Sequence, residues 1–185
     1  MSLAIFYYDL RDNKKQDLHG MLSSVLVQLC YQSDLYCDIV SKLRSEHDDG
    51  SEDPGDDALI RCLKRLLELP GQAPIFLIVD ALDECLNTPE LFLPREKVLV
   101  LLKDLIDLKL PNLRICVTSR PEIDIEAILM PLTFRSVSLQ DEHGQKGDIK
   151  NYIKSVVSTN KKMKNWSSEH KQLVIDVLTG RADGM

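Results

Sequence analysis

The sequence predicts an α/β fold: a parallel sheet covered by helices, followed by a short helical appendage. Residues 75–79 are a continuous apolar run, which is typical of a strand buried on both faces of a parallel sheet. Residues 113–118 form a second strand-like segment, and apolar residues at helical spacing fill the stretches before and between the two. This alternation indicates βαβ units. With 185 residues, 44% of them hydrophobic, the chain is long enough to bury a core.

The first third of the chain predicts one strand and two helices. Residues 3–8 read as a strand, and Asp17 is placed to cap an amphipathic helix that runs to about Cys30. Ser33 or Asp34 can cap a second helix through Leu43. Residues 45–55 are acidic and rich in helix breakers, so we expect a solvated loop rather than a calcium site.

The middle of the chain repeats the helix-then-strand pattern. Asp56 or Asp57 can cap a helix that leads to the apolar strand at 75–79, and a helix over 96–108 leads to the strand at 113–118. A short helix is predicted over 124–130 before Pro131. Residues 134–139 alternate between apolar and polar and predict a last strand.

Beyond Gln140 the pattern becomes helical. We expect one helix carrying Ile149, Ile153 and Val157, and a second, capped by Ser167 or Ser168, through Leu178. The predicted organisation is therefore an α/β core over residues 1–139 and the start of a helical domain over 140–185.

Composition excludes several function classes. The net charge of −6 and the lack of a basic stripe with interleaved aromatics argue against a nucleic-acid partner. No apolar run approaches the roughly 18 residues needed to cross a bilayer, and no signal-peptide pattern is present. The five cysteines are odd in number and have no C-x-x-C spacing. We expect a cytoplasmic protein that binds neither nucleic acid nor membrane.

Carboxylates follow the central strand. Asp80 ends it, and Asp83 and Glu84 come directly afterwards, which places all three at the carboxyl edge of the sheet, where open α/β folds bind ligands. Clustered carboxylates of this kind suit a cation such as Mg²⁺. The alternative is that Asp80 only caps the next helix.

An arginine is predicted at the same edge. The strand at 113–118 ends in Ser119-Arg120-Pro121, and the proline stops further strand pairing. Arg120 beside a carboxylate-bound cation would suit a phosphate. The alternative is a surface arginine paired with Asp83 or Glu84.

Two motifs together resemble the NACHT family of signal-transducing STAND P-loop NTPases. The first is Phe76-Leu77-Ile78-Val79-Asp80-Ala81-Leu82-Asp83-Glu84-Cys85, similar to that family's modified Walker B, and the second is Thr118-Ser119-Arg120-Pro121, similar to its sensor 1. Residues 6–12 and 28–30, and the Asp148-Ile149-x-x-Tyr152-Ile153 motif, look like the nephrocystin-type N-terminal modules common in fungal NLR-like proteins.

The resemblance implies ATP and Mg²⁺ as ligands and a role for each residue. Asp80 would hold Mg²⁺ through water, and Asp83 or Glu84 would polarise the attacking water. Arg120 would sense the γ-phosphate, with Thr118 of the same motif at the nucleotide.

The resemblance also implies a strand order of 5-1-4-3-2, in which strand 1 carries the phosphate-binding Walker A motif. No G-x-x-x-x-G-K-[ST] occurs in this sequence, which starts at the counterpart of strand 2. We therefore expect a truncated core with little ATP binding and less hydrolysis.

Three functions compete at this stage. The first is a piece of an ATP-dependent switch. The second is a non-enzymatic module that pairs with other NACHT chains or with the missing part of its own module. The third, a hydrolase using Cys85 or Ser119 as nucleophile, lacks a histidine near either motif.

Overall fold

The structure is a computed structural model that describes residues 1–45, 53–86, 94–138 and 145–181. Most of the predicted acidic loop, Leu139 of the predicted last strand and the final four residues lie outside the described residues. Contacts divide the chain into two compact units, residues 1–133 and 134–185.

The first unit is built on a three-stranded parallel sheet. Its strands are β1 (Ser2–Tyr7), β2 (Ile75–Asp80) and β3 (Leu113–Val117), and they lie side by side in the order β1-β2-β3. Ser2 pairs with Ile75, which pairs with Leu113. This is the order implied for strands 2, 3 and 4 of the resembled fold, and the predicted α/β class is confirmed.

The described part of this unit contains five α-helices, close to their predicted positions. Between β1 and β2 the chain forms α1, α2 and α3, between β2 and β3 it forms α4, and after β3 it forms α5. Their bounds are α1 (Leu18–Cys30), α2 (Asp34–Ser45), α3 (Asp56–Leu67), α4 (Pro94–Asp107) and α5 (Ile123–Leu129).

The sheet is covered on one face, and the prediction that β2 is buried on both faces is wrong. Ile75, Leu77 and Val79 are buried, whereas Phe76, between them, is 37% exposed. Both crossovers step in the same direction across the sheet. Right-handed crossovers that run in the same direction across a sheet place their connecting helices on the same face. The opposite face of the sheet, which is apolar, is therefore not covered by these helices.

Two helix starts differ in their caps. Asp17 caps α1 as predicted, since its carboxylate accepts the N–H of Gly20 at 2.9 Å. The predicted caps of α3 are wrong: Gly55 occupies that position and makes no side-chain bond. Asp56 instead lies 3.1 Å from Nδ1 of His19 and ties α3 to α1. Gly20 is required at its place, because a Cβ there would meet the carbonyl oxygen of Lys14 at 2.1 Å.

The outer edge of β1 is closed by two glutamine side chains of α1 and the turn after it. Gln32 accepts the N–H of Leu3 at 2.8 Å and donates to its carbonyl oxygen at 2.6 Å. Gln28 does the same for Ile5, at 2.9 and 2.8 Å. Each amide thus replaces one residue of a neighbouring strand, which protects an edge that would otherwise invite pairing.

The outer edge of β3 is open among the described residues. Asn112 and Thr118 direct their backbone bonds toward β2, so alternation directs the N–H and C=O groups of Ile115 and Val117 outward. No described residue bonds to these groups. The strand predicted over 134–139 does not form over 134–138, where the backbone is irregular and Phe134 is fully exposed.

The second unit is a helical pair. It contains α6 (Gln145–Thr159) and α7 (Ser168–Arg181), joined through a short 3-10 helix, Lys161–Met163. Val157 of α6 and Ile175 of α7 are buried. Ser167 caps α7 as predicted, since its hydroxyl accepts the N–H of His170 at 3.2 Å.

Among the described residues, none of the helices has the length and apolar character needed to cross a bilayer.

Replacing both Gln28 and Gln32 with Met should weaken the first unit and promote self-association. Methionine keeps the length of the side chain but removes four hydrogen bonds to β1, which we expect to lower the free energy of unfolding by about 1–2 kcal/mol. Urea denaturation and sedimentation velocity measure the two effects. Gln172→Met, on the exposed surface of α7, is the matched control, and an equal effect there would contradict the edge-closing role.

Candidate functional site

The carboxyl ends of β2 and β3 bring Asp80 and Thr118 together. The Thr118 hydroxyl donates a hydrogen bond to Oδ1 of Asp80 and accepts the N–H of Ala81 at 3.0 Å. The Thr118 N–H also donates to the carbonyl oxygen of Val79 at 2.9 Å. Two residues predicted to lie at one site, from strands 38 positions apart, are therefore in direct contact, and Asp80 is exposed there.

A strained residue follows Asp80. Ala81 has φ 54° and ψ 46°, in the left-handed region, which costs a residue with a Cβ about 1–2 kcal/mol. Thr118 holds it there by accepting two hydrogen bonds: its hydroxyl oxygen accepts the Ala81 N–H, and its carbonyl oxygen accepts the Leu82 N–H, both at 3.0 Å. This turn directs the chain into the 3-10 helix Leu82–Glu84, in which Leu82 is buried. Such strain persists where the surroundings enforce it, as they often do at functional sites.

Asp83 is engaged by Arg120. Its Oδ1 accepts the Arg120 N–H at 3.0 Å, and its Oδ2 lies 3.5 Å from the Arg120 Nε. The Asp83 side chain is only 10% exposed, whereas that of Arg120 is 81% exposed. Pairing with Asp83 or Glu84 is the alternative role that the sequence predicts for Arg120, and the structure contains the ion pair with Asp83. Asp83 therefore orders the loop after β3.

Glu84 contacts the backbone after β1 and not the described residues after β3. Its Oε2 accepts the N–H of Leu10, just after β1, at 3.3 Å. The three predicted carboxylates thus share one edge of the sheet but contact three different partners. In the parts of the chain that the structure describes, no three His, Cys, Asp or Glu side chains converge as metal ligands would.

The residues present fit a cation better than they fit phosphates. Asp80 is exposed, and among the described residues only Thr118 bonds to its carboxylate, through Oδ1. A hard cation such as Mg²⁺ commonly takes one or two carboxylates and fills its remaining positions with water and phosphate. On the phosphate side, the described guanidinium groups at this edge are already engaged, that of Arg120 by Asp83 and that of Arg11, after β1, by Asp9.

Sequence reasoning missed Arg95, which bonds to the backbone of the segment that carries Asp83. Its side chain is 7% exposed and its Nη2 donates to the carbonyl oxygen of Asp83 at 2.6 Å. It also donates to the Cys85 carbonyl oxygen at 3.3 Å and pairs with Asp124 of α5 at 3.3 Å. The available signal was an arginine three residues before Val98, directly before the helix predicted over 96–108, whereas α4 begins at Pro94.

The two candidate nucleophiles, Cys85 and Ser119, both donate hydrogen bonds to backbone carbonyl oxygens. Burial raises the pKa of the Cys85 thiol to about 12, and the thiol donates to the carbonyl oxygen of Gln16 at 3.3 Å. Reactive cysteines have a lowered pKa instead. The Ser119 hydroxyl donates to the Arg120 carbonyl oxygen at 2.7 Å, and no described residue is placed as its base. These contacts argue against the hydrolase hypothesis.

Comparison with known proteins identifies a family to which the chain is similar. The sequence model of the family described as Nephrocystin 3, N-terminal, matches residues 1–120, a stretch that contains all three strands and the whole sheet-edge site. No curated protein and no solved structure matches the chain significantly.

Replacing Arg95 with Met should destabilise the first unit by about 2–4 kcal/mol. The substitution leaves the carbonyl oxygens of Asp83 and Cys85 without their donor in a buried position, and each unsatisfied group costs about 1–3 kcal/mol. Arg95→Lys, which keeps the charge but not the forked geometry, should recover only part of the loss. Thermal and urea denaturation measure both variants, and a methionine variant as stable as the wild type would contradict the supporting role.

Proposed function

The chain belongs to the nephrocystin 3 N-terminal family, and on that premise we propose that it is part of a NACHT-type nucleotide-dependent switch. In this proposal the edge formed by β2 and β3 is the cation side of an ATP·Mg²⁺ site. The observation that carries it is the exposed Asp80 at the end of the central strand, oriented by Thr118 at the end of the neighbouring strand.

The division of roles follows the contacts. Asp80 would hold Mg²⁺ through water, because one of its carboxylate oxygens faces no described partner. The cation would neutralise charge on the nucleotide phosphates. Thr118 acts as a positioning residue, since it fixes both the Asp80 carboxylate and the Ala81 turn.

Glu84 is better placed than Asp83 to orient a water molecule. Asp83 is nearly buried and both of its oxygens face Arg120, whereas Glu84 is partly exposed and uses one oxygen for Leu10. Arg120 would sense the γ-phosphate, and its exposed side chain can exchange Asp83 for a phosphate oxygen. Such an exchange would couple the nucleotide to the loop after β3.

The part of the proposed ATP·Mg²⁺ site that would bind the phosphates is the least complete in this chain. Backbone N–H groups of a glycine-rich loop and a lysine supply most phosphate binding in P-loop proteins, and the sequence has no G-x-x-x-x-G-K-[ST]. We therefore propose little nucleotide affinity and no appreciable turnover for these 185 residues alone. The proposed setting is the cytoplasm, where the five free cysteines would remain reduced.

Titration calorimetry with ATP·Mg²⁺ should give an affinity weaker than micromolar for this chain. Mn²⁺ should nevertheless broaden the amide resonances of residues 79–82 and 118 in the wild type and not in Asp80→Asn, because that carboxylate is the proposed cation contact. Asp107→Asn, an exposed carboxylate at the end of α4, is the control. Micromolar or tighter ATP binding would refute the expected weak affinity. Mn²⁺ broadening that persists in Asp80→Asn would refute the assignment of Asp80 as the cation contact.

A second candidate function is a non-enzymatic interaction module. It is favoured by the contrast between the two sheet edges: Gln28 and Gln32 close β1, while the outward groups of Ile115 and Val117 have no described partner. An open edge next to an apolar face accepts a strand from another chain. The partner in this proposal is a strand of a second NACHT-type chain.

Concentration-dependent association through β3 tests this candidate. Ile115→Pro removes the outward N–H without removing a bond to β2, so it should suppress the association seen by sedimentation velocity. Ile115→Ala loses similar packing but keeps the N–H and should associate like the wild type. A wild-type chain that stays monomeric and binds no strand would defeat the interaction module.

A further inference from the structure

A groove of about 270 Å³ lies between α2 and α3, away from the sheet edge. Its apolar side chains are Ile39 and Leu43 of α2 and Ala58 and Cys62 of α3. The volume is slightly below the roughly 300–1,000 Å³ of small-molecule pockets. It suits the side chains of a docking segment better than an enclosed ligand.

The groove follows the helical repeat on both of its walls. On α2 the lining residues are spaced i, i+3, i+4, and on α3 they are spaced i, i+3, i+4, i+7. The α3 wall therefore spans about 10 Å, or roughly two helical turns. A seam between two packed helices with this spacing matches the anchor spacing of a third helix.

The rim of the groove is basic. Lys42, Arg61 and Arg65 line it, all three are exposed, and no acidic side chain lines it among the described residues. Within the described residues none of the three forms a salt bridge, whereas Lys64 of the same helix pairs with Asp104 at 2.9 Å. Among the described residues, three cations and no acid line the groove, in a chain whose net charge is −6.

The cations stand on both walls of the groove. Arg61 and Arg65 stand one helical turn apart on α3, and Lys42 stands on the opposite wall. A single phosphate would need them to converge, but a row of carboxylates on a helix would meet them in turn.

We propose that the groove between α2 and α3 docks an amphipathic helix of a partner protein, with apolar anchors at i, i+3 or i+4, and i+7 and carboxylates along its flanks. The apolar anchors enter between Leu43 and Cys62, and the carboxylates meet the basic rim. The docking is independent of Asp80, so it stands or falls separately from the nucleotide proposal.

The probe is a fluorescent, hydrocarbon-stapled 15-residue helix with three leucines at this spacing and flanking glutamates, titrated into the full chain. A second peptide carries lysines in place of the glutamates. Fluorescence anisotropy should show at least tenfold tighter binding of the glutamate peptide, and added salt should reduce the difference. Amide resonances of residues 39–43 and 58–65 should shift on binding.

Charge reversal provides the decisive comparison. The double substitution Arg61→Glu, Arg65→Glu should invert the preference toward the lysine peptide, while Lys103→Glu on the exposed side of α4 should leave it unchanged. Because all of these residues are exposed, circular dichroism should confirm that the fold is retained.

Three results would overturn the proposal. The first is an unchanged preference in the double variant, or an equal effect of Lys103→Glu. The second is displacement of the glutamate peptide by millimolar inorganic phosphate or octanoate, with the same amide shifts, which would identify a small-anion site. The third is self-association of the wild type that Arg61→Glu, Arg65→Glu abolishes, which would identify a second copy as the occupant.

Discussion

The parallel pairing of β2 between β1 and β3 is the constraint on which the rest of the first unit depends. It brings the carboxyl ends of β2 and β3 to one edge, where Asp80 contacts Thr118. It also fixes the direction of both crossovers, so the helices between the strands form one layer. The same pairing therefore creates the candidate site, the covered core and the uncovered apolar face.

Regular elements and the location of the site could be predicted from the sequence because both depend on local pattern. Apolar spacing predicted α1 and α3, and the polar residues after two apolar strands predicted that Asp80 and Arg120 would lie at one edge. The family resemblance added Thr118, which contacts Asp80 there. Burial of β2 on both faces could not be judged in this way, because it depends on which face the crossovers cover. The strand predicted over 134–139 failed in its described part because alternation alone supplies no neighbouring edge for pairing.

Side-chain partnerships at the site were the least predictable part. The sequence indicated three carboxylates at one edge, but it could not show that Asp83 faces Arg120 while Glu84 faces Leu10. Arg95 was missed because an arginine in an amphipathic helix usually faces solvent. Here its guanidinium bonds two carbonyl oxygens and Asp124 beneath the site. Contacts of this kind arise from the tertiary arrangement and leave little trace in local pattern.

The pairing of Gln28 and Gln32 with β1 depends on a near match between two repeat lengths. Four residues of an α-helix rise about 6.0 Å, and two residues of a strand about 6.6 Å. Gln28 near the end of α1 and Gln32 in the turn directly after it therefore reach alternate residues of the antiparallel β1. The mismatch accumulates at about 0.6 Å per step, and after two steps the next position on α1 is Ser24, which bonds Gln28 instead. A Q-x-x-x-Q pair at the end of a helix beside an exposed strand is therefore a transferable device for protecting sheet edges in designed proteins, with a useful length of about two repeats.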